Sequence, residues 1–302
     1  MLKTAIERIR GFLDDPDLEA KYSDDYIVRH IISPAFASVL SRVNNSASNP
    51  VIHKIDFPLV AKQQDYQLPP AVGEVLRLCI SDELGRVLQE ALPRGFWNLR
   101  GPNWQIQGNI ISFIPHPPES YANMELWYIP SGDYKPVYST GGVSAFQLTG
   151  ASKDTATFTV STAATVGEWD RRPSAYIGQM LRLLPATGVV EERLISGWEY
   201  TSSNTWTATL RKPFVNALVG NLPAFEIAPE GSENLFEAVA AAGALKLASY
   251  RKLSGEHFGM VQAAYRDAMK TLMDHYSNMQ MRLPKSWEKD TVDNQLTQPW
   301  RI

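Results

Sequence analysis

Apolar residues recur at three-to-four spacing near the start of the chain, at Leu2, Ile6, Ile9 and Leu13, until Asp14-Asp15-Pro16 breaks the pattern. That period predicts a short amphipathic helix. Ser23-Asp24-Asp25 supplies capping residues for a second helix, with Val28, Ile32, Ala35, Val39 and Val43 on one stripe; Pro34 lacks an amide donor and should kink or divide it. After the polar turn at 44–50 the period shortens toward two, and alternating runs at 51–57, 75–80, 104–106, 110–114 and 124–129 predict strands. The Gly108-Asn109 pair between two of these runs is a hairpin signal. From about 139 to 230 the chain is rich in Thr, Ser, Val and Gly, with short alternating runs at 145–148, 155–160, 180–184, 193–198, 206–210 and 225–227. Such spacing suggests a small barrel or sandwich.

At Ser232-Glu233-Asn234 the composition turns Ala-rich. Asn234 is placed to cap a helix over 235–253, and Phe258, Val261, Tyr265, Ala268, Leu272, Tyr276 and Met279 form the apolar face of another, so a helical hairpin turning at Ser254-Gly255-Glu256 is expected. The last stretch, 282–302, carries Pro284, Pro299, Trp287 and Trp300 without useful periodicity and reads as an extended arm. The expected fold class is α+β: a helical body formed by the N- and C-terminal helices, a mixed β segment, and an inserted small β-barrel or sandwich. The divisions fall at 1–138 (helices and mixed β part), 139–230 (inserted β module), 231–281 (closing hairpin) and 282–302 (arm).

A chain of 302 residues with 44% hydrophobic residues can bury a large core without staples, and a net charge of −3 provides no global basic field for nucleic acid or an anionic membrane. The single cysteine, Cys79, forbids an intrachain disulfide and multi-cysteine metal sites, and its apolar surroundings in sequence point to an inert thiol. The charged N-terminal stretch lacks a signal-peptide core, and no run approaches the ~20 apolar residues of a membrane span. Synthesis in a reducing cytoplasm, with no membrane partner, is the expectation.

The chemistry-bearing residues do not assemble into a known catalytic pattern. Phosphate-loop, dinucleotide, nucleophile-elbow and zincin motifs are all missing. His30, His53, His116, His257 and His275 lie in separate segments, with no pair on one helix turn. Glu191 and Glu192 are adjacent, so in a strand they point to opposite faces and cannot flank one glycosidic bond. Asp14-Asp15 and Asp24-Asp25 suit helix ends. Trp169, Trp198 and Trp206 could form a platform for sugar rings or the core of a small barrel. The doublets Arg171-Arg172 and Arg211-Lys212 are too short to define a nucleic-acid groove. No catalytic residue, cofactor or metal ligand is assigned.

Three stretches in order resemble the head-to-tail adaptor proteins of tailed bacteriophages. They are Asp65-Tyr66-Gln67-Leu68-Pro69-Pro70 before a Val/Leu-rich strand; Ile110-Ile111-Ser112-Phe113-Ile114-Pro115-His116-Pro117-Pro118 leading to Met124-Glu125-Leu126-Trp127-Tyr128-Ile129-Pro130; and the Ala-rich and Tyr-bearing helices over 233–279. With the first two helices the likeness covers about two thirds of the chain. The segments 176–184, 192–198 and 207–210 are similar to a β module of phage tail and virion proteins, a departure from shorter adaptors that leaves the module's partner open.

The resemblance implies a virion structural protein of the neck or connector, not an enzyme. It implies assembly in the host cytoplasm as a ring, of twelve copies by likeness alone, below the portal protein. Such a ring extends the DNA ejection channel, passes genomic DNA without specific binding, and presents a surface to a downstream tail or nozzle protein. Within the arm, Trp287, Leu296, Trp300 and Ile302 are the candidate portal-binding anchors, with folding back onto the hairpin as the alternative. A competing expectation is a carbohydrate-binding tail or receptor-recognition protein using the Trp-bearing β module.

Overall fold

The computed structural model describes residues 1–14, 21–46, 50–82, 87–90, 92–93, 103–114, 122–139, 146–151, 154–160, 172, 174–184, 190–202, 205–215 and 224–278. Helix α1 (Leu2–Leu13) buries Leu2, Ala5, Ile6, Ile9 and Leu13, the stripe its periodicity marks. It stops at Asp14, whose left-handed backbone lets its N–H reach the carbonyls of Arg10 and Gly11. Ser23 caps α2 (Asp24–Tyr26) by accepting from the Tyr26 N–H at 3.2 Å.

Pro34 divides the next helix, as its missing donor requires. A π-helical segment, Ile27–Ile32, precedes α3 (Ser33–Ser46), and the Ser33 N–H bonds back to the Val28 carbonyl. In an uninterrupted α-helix the His30 carbonyl would face the nitrogen of Pro34; here it accepts instead from Lys246 Nζ at 3.2 Å.

The closing hairpin is α4 (Glu233–Arg251) and α5 (Gly255–Asn278). Its cap differs from expectation. Ser232, not Asn234, is the N-cap, accepting from the Leu235 N–H at 3.3 Å, and the helix ends at Arg251, before left-handed Lys252, rather than at 253. Helix α4 packs on α1, α3, the π-helical segment and α5. Its fully buried Ala238, Ala240, Ala241, Ala244 and Ala248 leave room for this close packing. A Cβ on Gly243 would stand 2.9 Å from Ile31 Cγ2 and 3.1 Å from Ile9 Cδ1, so a larger residue there would have to push these two side chains aside.

Fifteen strands form three sheets among the described residues. The first has order β1-β8-β3-β4: β1 (His53–Pro58), β3 (Val72–Ser81), β4 (Val87–Glu90) and β8 (Asn123–Pro130), all antiparallel. Alternation is clean in β8, where Met124, Leu126 and Tyr128 are buried between half-exposed Glu125, Trp127 and Ile129. The second sheet has order β2-β7-β6-β5: β2 (Asp65–Gln67), β5 (Leu92–Pro93), β6 (Asn103–Gln107) and β7 (Ile110–Ile114). Gly108, with φ +60°, takes the first corner of the two-residue β6–β7 turn, as the Gly-Asn signal anticipates.

The third sheet has seven antiparallel strands in the order β10-β11-β14-β13-β12-β15-β9. They are β9 (Val137–Ser139), β10 (Phe146–Ala151), β11 (Thr155–Val160), β12 (Gln179–Leu184), β13 (Glu191–Ser202), β14 (Thr205–Leu210) and β15 (Ala224–Pro229). The sequence-based boundary between 138 and 139 therefore cuts through β9, which pairs with β15 through Ser139 opposite Phe225.

The segment 139–230 also differs from a self-contained module. Phe158, Tyr176, Leu181, Trp198 and Phe225 share one apolar cluster with Ile55, Leu78, Phe113, Leu126 and Tyr128 of the other two sheets. A second cluster joins the helices with Val51, Ala71, Tyr134 and Ala228. Short alternating patterns could reveal the strands, but not that three sheets bury their faces against each other.

Candidate functional site

The seam between the helical and β clusters holds a buried ion pair, Arg182–Glu226. Helix α1 has no acidic residue in its first turn and no side-chain cap from its own flank. Glu226 of β15 supplies both: Oε2 accepts from the Leu2 N–H at 2.8 Å and the Lys3 N–H at 3.3 Å, while Oε1 lies 2.6 Å from the Met1 amino group. A carboxylate here satisfies orphan donors and complements the helix dipole. Arg182 of β12 donates to Glu226 Oε1 at 2.6 Å and reaches Glu192 Oε1 at 2.5 Å. Glu226 is 1% and Arg182 8% exposed, so their mutual pairing is what makes burial tolerable.

A second polar link crosses the same seam. The Tyr134 hydroxyl lies 3.2 Å from His53 Nδ1 and is hydrogen-bonded to Tyr128. Burial lowers the His53 pKa from its usual 6.5 to about 4 and raises those of Tyr128 and Tyr134, so all three are neutral near pH 7.

Among the other sequence candidates, Glu191 and Glu192 do part company. Glu191 pairs with Arg193 and accepts from the Val215 N–H, while Glu192 meets Arg182. Trp198 and Trp206 stack with centroids 5.8 Å apart, but they are only 4% and 9% exposed, so this pair belongs to the core and offers no sugar platform. Arg211 pairs with Asp56 at 2.9 Å and Arg172 with Asp133 at 3.0 Å. Cys79 is buried. Trp169, His116 and Arg171 lie outside the described residues, as do the anchors Trp287, Leu296, Trp300 and Ile302, which follow the end of α5 at Asn278.

Two surfaces were missed by sequence reasoning because their members come from distant segments. On the outer face of the first sheet, Lys54 meets Glu125 at 2.5 Å and lies 5.6 Å from the ring centre of Trp127, whose indole N–H donates to Glu125 at 2.7 Å. At the helical body, Tyr22, Tyr26 and His30 form a ring ladder with successive centroids 5.2 and 4.7 Å apart, and Lys246 continues it toward exposed Tyr250. The four-residue spacing of Tyr22, Tyr26 and His30 was legible; their meeting with α4 was not.

A groove with a cavity volume of about 520 Å³ opens where α1 ends and α5 begins, lined by Phe12, Asp14, Glu256, His257, Met260 and others. His257 Nε2 donates to the Phe12 carbonyl at 2.8 Å, covering one of the acceptors left at the end of α1. Met260 is 68% exposed. Among the described residues no helix is long and apolar enough to cross a membrane, and no three His, Cys, Asp or Glu side chains gather to hold a metal.

No protein-family model matches the chain, and no curated protein matches it significantly.

Proposed function

We propose that the chain is a virion structural protein: a head-to-tail adaptor of a tailed bacteriophage that forms a ring below the portal protein. The supporting observation is the contact between the first two adaptor-like stretches. Asp65 and Tyr66 of β2 stand in register with Ser112 and Ile111 of β7, the Ser112 hydroxyl donates to Asp65 Oδ1 at 2.5 Å, and the Tyr66 and Phe113 rings meet edge-on at 5.7 Å. The resemblance thus rests on residues that form one local structure.

In this reading the helices from both chain ends supply the ring body, and the arm anchors Trp287, Leu296, Trp300 and Ile302 capture the portal. Ring closure needs two different, mutually complementary surfaces on each subunit. Genomic DNA passes through the lumen, a role compatible with a net charge of −3. The carbohydrate-binding reading loses the described part of its basis through the burial of Trp198 and Trp206.

Imaging a phage particle that contains this protein tests the proposal. A ring of the chain between portal and tail is expected; its location at the tail tip, as a trimeric or monomeric appendage, would overturn it.

A further inference from the structure

We propose that the loop 211–215 of one subunit seats in the α1/α5 groove of the next, so that copies of the chain join head to tail. The choice of a second copy as occupant rests on the ring reading; the two surfaces belong to this chain alone.

Among the described residues, the two most exposed large apolar side chains are Val215, 71% exposed, and Met260, 68% exposed. They stand in opposite electrostatic surroundings. Met260 lines the groove with Phe12, Val261 and Ala264, and the lining includes the carboxylates Asp14 and Glu256 but no lysine or arginine. Val215 closes a loop that carries exposed Arg211 and Lys212. Arg211 is held by Asp56 at 2.9 Å, so Lys212 is the cation this loop presents. An apolar side chain beside a cation matches an apolar groove rimmed by carboxylates, and such charge complementarity fixes which surfaces meet.

Both sides are shaped in advance. Phe214 is buried in the β cluster, and the Arg193 guanidinium lies 5.4 Å from its ring centre. Arg193 Nε donates to the Pro213 carbonyl at 2.7 Å and the Val215 N–H donates to Glu191 at 3.0 Å, so the backbone is held on both sides of Phe214. Across the groove, the bond from His257 to the Phe12 carbonyl ties the start of α5 to the end of α1. A contact between two surfaces already in place loses little conformational freedom on forming.

The loop follows β14 and the groove belongs to the helical body, so the contact is heterologous. Each added copy covers one groove and brings another, until the series closes on itself.

The test uses full chains with one added thiol each, Pro213→Cys in the loop and Ser254→Cys on the groove rim, both exposed positions; native Cys79 is buried and does not compete. The two variants are mixed at up to about 1 mM, where a contact with a millimolar dissociation constant is well populated, and treated with a short bismaleimide. Bridges between the two variants should far exceed bridges between like chains, and a chain carrying both substitutions should give a ladder of three copies and more. Met260→Glu should lower the yield about tenfold, as loss of a buried apolar anchor does. Lys212→Glu should lower it about threefold, in the range of an exposed ion pair, with recovery when Glu256→Lys is added and thermal midpoints near the parent's throughout. A yield indifferent to Met260→Glu, bridges mainly between like chains, a ladder that stops at two copies, or no bridge at all would each overturn the contact. The adaptor reading is decided separately, by where the protein sits in the particle, so a ring at the neck without these bridges would sink the contact and leave that reading standing.

Discussion

Arg182 and Glu226 face each other in register across β12 and β15, and the guanidinium Nη1 donates to the carboxylate at 2.6 Å. Glu226 also holds the first N–H groups of α1, more than two hundred residues away in sequence, so one carboxylate ties the first helix to the β core. Removing it leaves a buried guanidinium short of a partner and uncaps the helix. Glu226→Ala should destabilise the fold by about 3–5 kcal/mol in urea unfolding, and adding Arg182→Met should recover part of the loss by removing the stranded charge. A Glu226→Ala protein as stable as the parent would show that the seam is held elsewhere.

The buried imidazole of His53 predicts a particular pH dependence. Its folded pKa of about 4 lies below the 6.5 of an unfolded histidine, so between these values the unfolded chain binds more protons and stability falls as the pH is lowered. The contribution is fully present above pH 6.5 and is lost by about 3 kcal/mol on descending through pH 4. Comparing stability at pH 7, 5.5 and 4.5 in the parent and His53→Phe isolates it: the difference between the two proteins should change with pH over that window. A constant difference would assign the histidine no role.

Replacing 139–230 by a Gly-Ser linker is the natural test of a detachable module, and the shared core predicts that it fails. Such a deletion removes Glu226 with β15 and strips Ile55, Leu126 and Tyr128 of Phe158, Leu181 and Trp198, with which they form one cluster. Circular dichroism should show loss of the cooperative melt. A soluble shortened chain with an unchanged helical transition would restore the module as an independent unit.

Much of the secondary structure was legible because buried positions follow the local period: Leu2, Ile6 and Ile9 in α1, or Met124, Leu126 and Tyr128 in β8. Pro34 announced its own break. Short strands such as β2 and β9 were not marked, since three residues carry too little alternation to stand out from a loop. The seam was hidden for a different reason. Nothing near Leu2 in sequence signals that Glu226 will cap it, and nothing near Glu226 distinguishes it from a surface carboxylate. Likewise, counting Trp198 and Trp206 could not decide between a platform and a core; sheet packing decided it.

The arm offers a separable measurement. Deleting 294–302 removes Leu296, Trp300 and Ile302 while leaving α5 intact. If these residues capture the portal, docking should weaken by about 30-fold, or about 2 kcal/mol, with little change in subunit melting temperature. A lower melting temperature with undiminished docking would instead place the partner surface elsewhere.

The central claim is ring formation on a portal, and mass measurement addresses it most directly. If the chain is an adaptor as proposed, mixing the purified chain with the portal protein it serves should give a complex whose mass corresponds to one portal ring carrying a closed ring of this chain, twelve copies if the resemblance to adaptors extends to stoichiometry. A persistent one-to-one heterodimer, or no complex over a concentration range in which the portal ring is intact, would contradict the account.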